Sequence, residues 1–348
     1  MCLQRGHRCC NPHLVVKIAL TYKSAFPILH PTKKKFLSIK AQAMIAVLTN
    51  ETVVGAENGN IAVQILASWD HFIKNRLSRR NLLGDYKTIN IEKRDQVDWL
   101  TLNRPEILNA INTPMVTELR DYFGGLQEDR ETRVVVMRGA GRAFCAGLDI
   151  KSSQVRANEA PFSGGMGFQR YLAEVYILMR RCPQPIITLV HGSACGGGFA
   201  FVLASDIRIA GESARMNAAF IRVGLSACDM GTSYFLPRLV GTSVASELML
   251  TGRFIHAERA LRTNLVSEVV PDNQLAVAAQ SYIDEMLATA PMGLRLTKEG
   301  LNMAIDAPGL EAAMAIENRN QLLCAGTNDA KEGMRAFLEK RAPKYSGT

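Results

Sequence analysis

Two short stretches decide how this chain is read: Phe144-Cys145-Ala146-Gly147-Leu148-Asp149 and His191-Gly192-Ser193-Ala194-Cys195-Gly196-Gly197-Gly198. Each follows an apolar run of β character. Val134-Val135-Val136-Met137, closed by Gly139, precedes the first, and the run from Ile186 to Val190 precedes the second. The second stretch opens into the apolar segment from Phe199 to Ala204. Three consecutive glycines expose backbone N–H groups because no Cβ blocks approach. At the start of a helix those groups also sit at the positive end of its dipole. Such a site holds an anion without a charged side chain. A phosphate cradle normally adds a lysine, and none follows Gly198; the G-x-G-x-x-G dinucleotide pattern is absent there too. A single developing oxyanion, held by one N–H from each stretch, fits better. The glycines equally allow a plain packing role, letting a helix lie close on a strand.

Strands and helices alternate around these stretches. Ile89 and Ile91 alternate with polar residues, Lys93-Arg94-Asp95 reads as a turn, and Val97, Trp99 and Leu102 resume the apolar face. The spacing predicts a β-hairpin ended by Asn103-Arg104-Pro105. Thr113-Pro114 predicts a helix start, a capping hydroxyl followed by proline at the first helical position. Met115, Leu119, Tyr122 and Leu126 then share one face. A further helix is predicted from Gln169 to Arg181, with Leu172, Tyr176 and Met179 inward and Pro183 and Pro185 as stops. This alternation argues for βαβ units in a layered α/β fold. From Thr242 onward the pattern is mostly helical, and Asn264 reads as a left-handed cap. Three parts are expected: a poorly patterned extension over 1–84, an α/β core over 85–270 and a helical region over 271–348.

The 348 residues are 47% hydrophobic and 21% charged, which excludes wholesale disorder, collagen and coiled coil. The net charge of +9 sits almost wholly in the first 50 residues, which hold eight basic residues and no acid. The remainder is close to neutral, so no nucleic-acid partner is expected. That basic start suits an organelle transit peptide, and it equally suits a start codon placed early with Met44 as the natural one. A cytoplasmic location is expected, or a mitochondrial one if residues 1–43 are a transit peptide. No run of 18 apolar residues predicts a membrane span. Eight cysteines, five of them widely spaced beyond residue 140, read as reduced thiols. His7, Cys9, Cys10 and His13 lack a second ligand pair, so no metal site is expected.

Several motifs in fixed order resemble the crotonase superfamily, the enoyl-CoA hydratase/isomerase family. They are Asn103-Arg104-Pro105 with Leu108-Asn109-Ala110, then Ala146-Gly147-Leu148-Asp149, the 191–198 stretch, and Ser205-Asp206-Ile207-Arg208-Ile209-Ala210. Leu239-Val240-Gly241, the stretch from Asn264 to Val270, and Phe337-Leu338-Glu339-Lys340-Arg341 follow. The resemblance covers about residues 86–345. It implies a crotonase-like spiral of ββα units with a helical C-terminal trimerisation region, and a homotrimer or homohexamer. It implies a coenzyme A thioester substrate of fatty acid metabolism, with coenzyme A as part of the substrate and no separate cofactor. The backbone N–H groups of Ala146 and Gly197 are expected to hold the thioester oxygen. Leu108, Ala110, Gly147, Leu148, Asp149, Gly196 and Phe220 are expected to line the substrate. Phe337 and Lys340 are expected near coenzyme A across a subunit boundary.

Family hydratases carry two glutamates, at positions that are Ala200 and Phe220 here. Asp229, in Asp229-Met230-Gly231-Thr232, is the acid left in the region, and the motif resembles that of dienoyl-CoA isomerases. Apolar neighbours raise a carboxyl pKa toward a value useful for moving protons. The plainer role for Asp229 is to cap a following helix. Asp149, Asp206 and His191 read as structural, and Cys145, Cys195 and Cys228 as small filler without a paired base. The expected activity is hydration of a 2-enoyl-CoA. The alternatives are an enoyl- or dienoyl-CoA isomerase using Asp229 as proton shuttle, and a non-catalytic acyl-CoA binding protein.

Overall fold

The computed structural model describes residues 86–151 and 165–348, and the expectations for 1–84 lie outside them. The strands are β1 (Ile89–Arg94), β2 (Val97–Leu102), β3 (Val134–Gly139), β4 (Ile186–Val190), β5 (Ser193–Cys195), β6 (Ile207–Gly211), β7 (Arg215–Asn217), β8 (Ile255–His256) and β9 (Glu268–Val270). The helices are α1 (Thr113–Gly125), α2 (Gly165–Arg181), α3 (Gly197–Ala204), α4 (Thr232–Thr251), α5 (Ala257–Arg262), α6 (Leu275–Leu287), α7 (Pro291–Ala304), α8 (Leu310–Ala325) and α9 (Asn328–Leu338).

A six-stranded sheet runs in the order β1-β2-β3-β4-β6-β9. β1 is antiparallel to β2, and the other neighbours are parallel. Both faces of the parallel part are covered, which is why its strands are nearly continuous apolar runs. Val134, Val136, Trp99, Ile187, Leu189 and Ile209 pack with Leu275, Ala279 and Ile283 of α6. Val135, Met137, Leu100, Leu102, Ile186 and Val190 belong to the larger core that holds α1, α2 and α3.

A smaller sheet, β5-β7-β8, carries the site. Single bridges extend its pattern, Cys145 to Ala194 and Ile111 to Leu148. The chain thus lays one strand in the large sheet, a short one in the small sheet, then a helix. β4, β5 and α3 form the clearest such unit, and this is the expected ββα spiral.

Three boundaries differ from the sequence reading. Lys93 and Arg94 still pair with Asp98 and Val97, so the hairpin turns at Asp95-Gln96. Asp95 takes φ 52°, a left-handed conformation that its short polar side chain tolerates. The cap of α1 is Asn112, whose side chain accepts the Met115 N–H at 3.0 Å; Thr113 is already the first helical residue. α4 begins ten residues before Thr242 and breaks at Gly241, where φ is 75°. Asn264 is left-handed as expected, at φ 61°. Beyond residue 271 the chain is helical, and among the described residues no helix is long and apolar enough to cross a membrane.

Candidate active site

The two decisive stretches are zipped together by their backbones. Cys145 N–H donates to the Ser193 carbonyl at 3.0 Å, and Cys195 N–H donates to the Cys145 carbonyl at 2.9 Å. On the opposite edge, Ile111 N–H donates to the Gly147 carbonyl at 2.8 Å, and Asp149 N–H donates to the Ile111 carbonyl at 2.9 Å. Peptide groups along an extended segment alternate in direction. With Gly147 O and Asp149 N–H turned toward Ile111, the Leu148 N–H turns away from it, to the side of β5 and Gly197. Among the described residues, neither the Leu148 nor the Gly197 N–H has a protein acceptor.

Gly147 makes this approach possible. It sits at φ +93°, and a Cβ there would lie 2.7 Å from the Cys195 carbonyl oxygen and 3.7 Å from the Gly197 nitrogen. Gly197 opens α3, whose eight residues are all buried. Its amide is one of the N–H groups that a helix leaves unsatisfied at its start.

The expectation for Ala146 is corrected. Its N–H donates to the Leu108 carbonyl at 2.9 Å, so it is already spent within the backbone. The free amide of this stretch belongs to Leu148. Leu108 and Ala110 flank the same turn. Leu108 and Asn109 are both left-handed, at φ 57° and 55°. Asn109 holds that turn from within: its Oδ1 accepts the Arg104 N–H at 2.8 Å, and its Nδ2 donates to the carbonyls of Ala140, Ala143 and Phe144 at 2.8, 2.9 and 3.1 Å. From the sequence alone Asn109 carries no supporting role. An asparagine between two apolar residues, just after a proline turn, was the available signal.

Beneath Gly197 lie Ile111, Met230 and Tyr176. The Tyr176 hydroxyl donates to the Gly197 carbonyl at 3.1 Å and touches Met230 Sδ at 3.1 Å. Its ring stacks on Phe201 with centroids 4.9 Å apart. Ala200 is fully buried, and the Phe220 ring packs against Gly196, 3.5 Å from where a Cβ would stand. The two positions that hold glutamates in family hydratases are therefore filled by the apolar core.

Asp229 is half-buried beside this floor. Its Oδ1 accepts the Met230 N–H at 2.8 Å and a hydrogen bond from the Gln169 side-chain amide. Burial pushes its carboxyl pKa up, and the hydrogen bonds from Met230 and Gln169 pull it back. The capping role does not hold. α4 starts behind Gly231 with no side-chain cap, and the Asp229 carboxylate bonds its own neighbour Met230 instead. Gln169 is a second residue of this kind, which in the sequence signals only the start of a helix.

The other acids are structural. Asp149 pairs with Arg104 at 3.2 Å, and Arg104 also bonds the Ala110 carbonyl, so the pair braces the two turns. Asp206 accepts the Ile186 N–H at 2.8 Å and pairs with Lys298 at 2.8 Å. His191 Nε2 meets the Gly141 carbonyl at 2.8 Å. Burial raises the Cys145 thiol to about 12, and its Sγ donates to the Asn109 carbonyl, so it is no nucleophile.

The pattern that defines enoyl-CoA hydratases and isomerases matches residues 92–348. The chain belongs to the enoyl-CoA hydratase/isomerase family. A Mycobacterium bovis protein named as a probable enoyl-CoA hydratase is 39% identical over 257 residues, 73% of this chain and 90% of that protein. The 1,2-epoxyphenylacetyl-CoA isomerase of Escherichia coli is 35% identical over 248 residues, 71% of this chain and 94% of that enzyme. A crystal structure of enoyl-CoA hydratase from Bacillus anthracis superposes with a TM-score of 0.69 at 31% identity, covering 75% of this chain and 100% of that one. Both the hydratase and the isomerase branches of the family are thus represented among the relatives.

Proposed function

We propose that this protein is an enoyl-CoA hydratase that holds the thioester oxygen of a 2-enoyl-CoA between the N–H groups of Leu148 and Gly197. What supports this reading is that, among the described residues, two amides from separate turns locked to each other have no protein acceptor, and the Leu148 amide turns to the side of Gly197. Water adds at C3, the C2=C3 electron pair moves toward the thioester, and charge collects on its oxygen. Two pre-aimed donors meet that charge with no reorganisation; losing one such donor costs about 3 kcal/mol of barrier. Asp229 takes the proton from water and returns one to C2, so a single carboxylate serves both steps. Coenzyme A is part of the substrate, and the reaction asks for no separate cofactor.

A lone carboxylate favours a second reading, double-bond isomerisation, in which Asp229 removes a proton at one carbon and delivers it at another. A panel of crotonyl-CoA, longer 2-enoyl-CoAs and 3-enoyl-CoAs separates the two. Hydration of a 2-enoyl-CoA, lost by about 10²-fold or more in Asp229→Asn, is the expected result. Conversion of 3-enoyl-CoAs alone transfers the assignment to isomerisation. Tight thioester binding with no turnover of any member points to a binding protein.

The reading includes self-association through the C-terminal helices. Leu301, Leu310, Leu322, Phe337 and Leu338 on α7, α8 and α9 are between 68% and 83% exposed, more apolar surface than a lone chain usually leaves in water. A homotrimer, or a pair of trimers, covers it.

A further inference from the structure

We infer that Gln169 is a positioning residue for the reaction: its side-chain amide pins Oδ1 of Asp229 and so leaves Oδ2 as the oxygen that carries the proton. This rests on the catalytic reading of Asp229 above. Oδ1 receives both donors, the Met230 N–H at 2.8 Å and the Gln169 Nε2. Among the described residues no donor reaches Oδ2. That asymmetry has a chemical consequence. When Asp229 is ionised, Oδ1 accepts two hydrogen bonds. When Oδ2 takes a proton, Oδ1 becomes the carbonyl oxygen of the acid and still accepts both. Neither Gln169 nor Met230 has to move as the proton comes and goes. Were Oδ2 also held by a donor, protonation there would break a bond.

Charge leaves this work to few groups. Among the described residues Asp229 takes part in no ion pair, and the titratable group coupled to it is the buried Tyr176 hydroxyl. Among the described residues no lysine, arginine or histidine pairs with the carboxylate, so there the ionised form depends on its two hydrogen-bond donors. One donor is a backbone group and cannot be varied. Gln169 is the one the sequence can change. It lies on the same helical face as Leu172 and Tyr176, three and seven positions on. One face of α2 therefore steadies the carboxylate through Gln169 and the Gly197 peptide through Tyr176.

The test uses the full chain and the substrate of the enoyl-CoA panel that it turns over best. Gln169→Met keeps the length and removes the donor; Gln169→Glu keeps the shape and adds a like charge. Both variants are expected to hold KM within about twofold and to lower kcat about tenfold on the acid side of the pH–rate profile. The acid limb is expected to move to higher pH in Gln169→Met and further in Gln169→Glu, with activity recovering as the pH rises, because the base form is then restored. A role limited to tying α2 to its neighbouring turn predicts lower stability and an unmoved limb. If Asp229→Asn is inactive while folded Gln169→Met or Gln169→Glu keeps the wild-type limb, the inference about Gln169 fails alone. If Asp229→Asn retains full activity, the reading of Asp229 fails and takes this inference with it.

Discussion

Gly147 and Asp229 show what single residues contribute and how differently each could be read in advance. Gly147 was marked by its type, since a glycine after a strand signals an unusual backbone. Gly147→Ala forces an L side chain to φ +93° and into the Cys195 carbonyl. We expect it to lower kcat by about 10²-fold, measured in the hydration assay, because the Leu148 amide loses its aim. Asp229 stood out as an acid in an apolar loop, and its partners could not be read. Gln169 is 60 positions away, and nothing local pairs the two. Nor could the sequence tell which N–H of Ala146-Gly147-Leu148 is free. That depends on the Leu108 carbonyl, brought in by a turn of two left-handed residues. Asp229 also has a cost to the fold. Burial raises its pKa, so above that folded value the charge is less welcome in the native state than in the unfolded chain. Asp229→Asn is expected to raise the melting temperature at neutral pH. Calorimetry should show this gain shrinking as the pH falls through the folded pKa, and gone below the ordinary aspartate range, where both states are protonated.

At the level of elements, periodicity located most strands and helices, and boundaries failed where a side chain reaches the backbone. Thr113 looked like a cap because it precedes proline; Asn112 won because its extended backbone sets Oδ1 against the Met115 N–H. The start of α4 was hidden by Gly241, which breaks the helix and splits its pattern. The docking of α7 was hidden for another reason. Lys298 is 5% exposed, yet a lysine in a helix reads as surface. Its ammonium pairs with Asp206 at 2.8 Å and donates to the carbonyls of Gln184 and Met179 at 2.8 and 3.1 Å. It fastens α7 to the end of α2 and the start of β4. Lys298→Met strips those acceptors of their donor and should destabilise the chain by about 3 kcal/mol, read from urea unfolding at fixed protein concentration.

Across the whole molecule, the ββα spiral was legible because several motifs kept their order, whereas the proposed assembly of chains is signalled by exposed apolar surface on the last three helices. Leu322 is 76% exposed on α8. Sedimentation velocity is expected to give three or six times the chain mass, and Leu322→Asp to lower it, since burying an unpaired carboxylate at an interface is costly. The zipper between the two turns reaches further. Cys145 and Cys195 spend their N–H groups on each other's strands, while among the described residues Leu148 and Gly197, a few positions on, have no protein acceptor. In heavy water the first pair should exchange their protons only when the molecule opens as a whole, and the second pair far sooner. The fold thus sets two open amides beside two that are bound, and a thioester held by the open pair would be visible as the moment they fall silent.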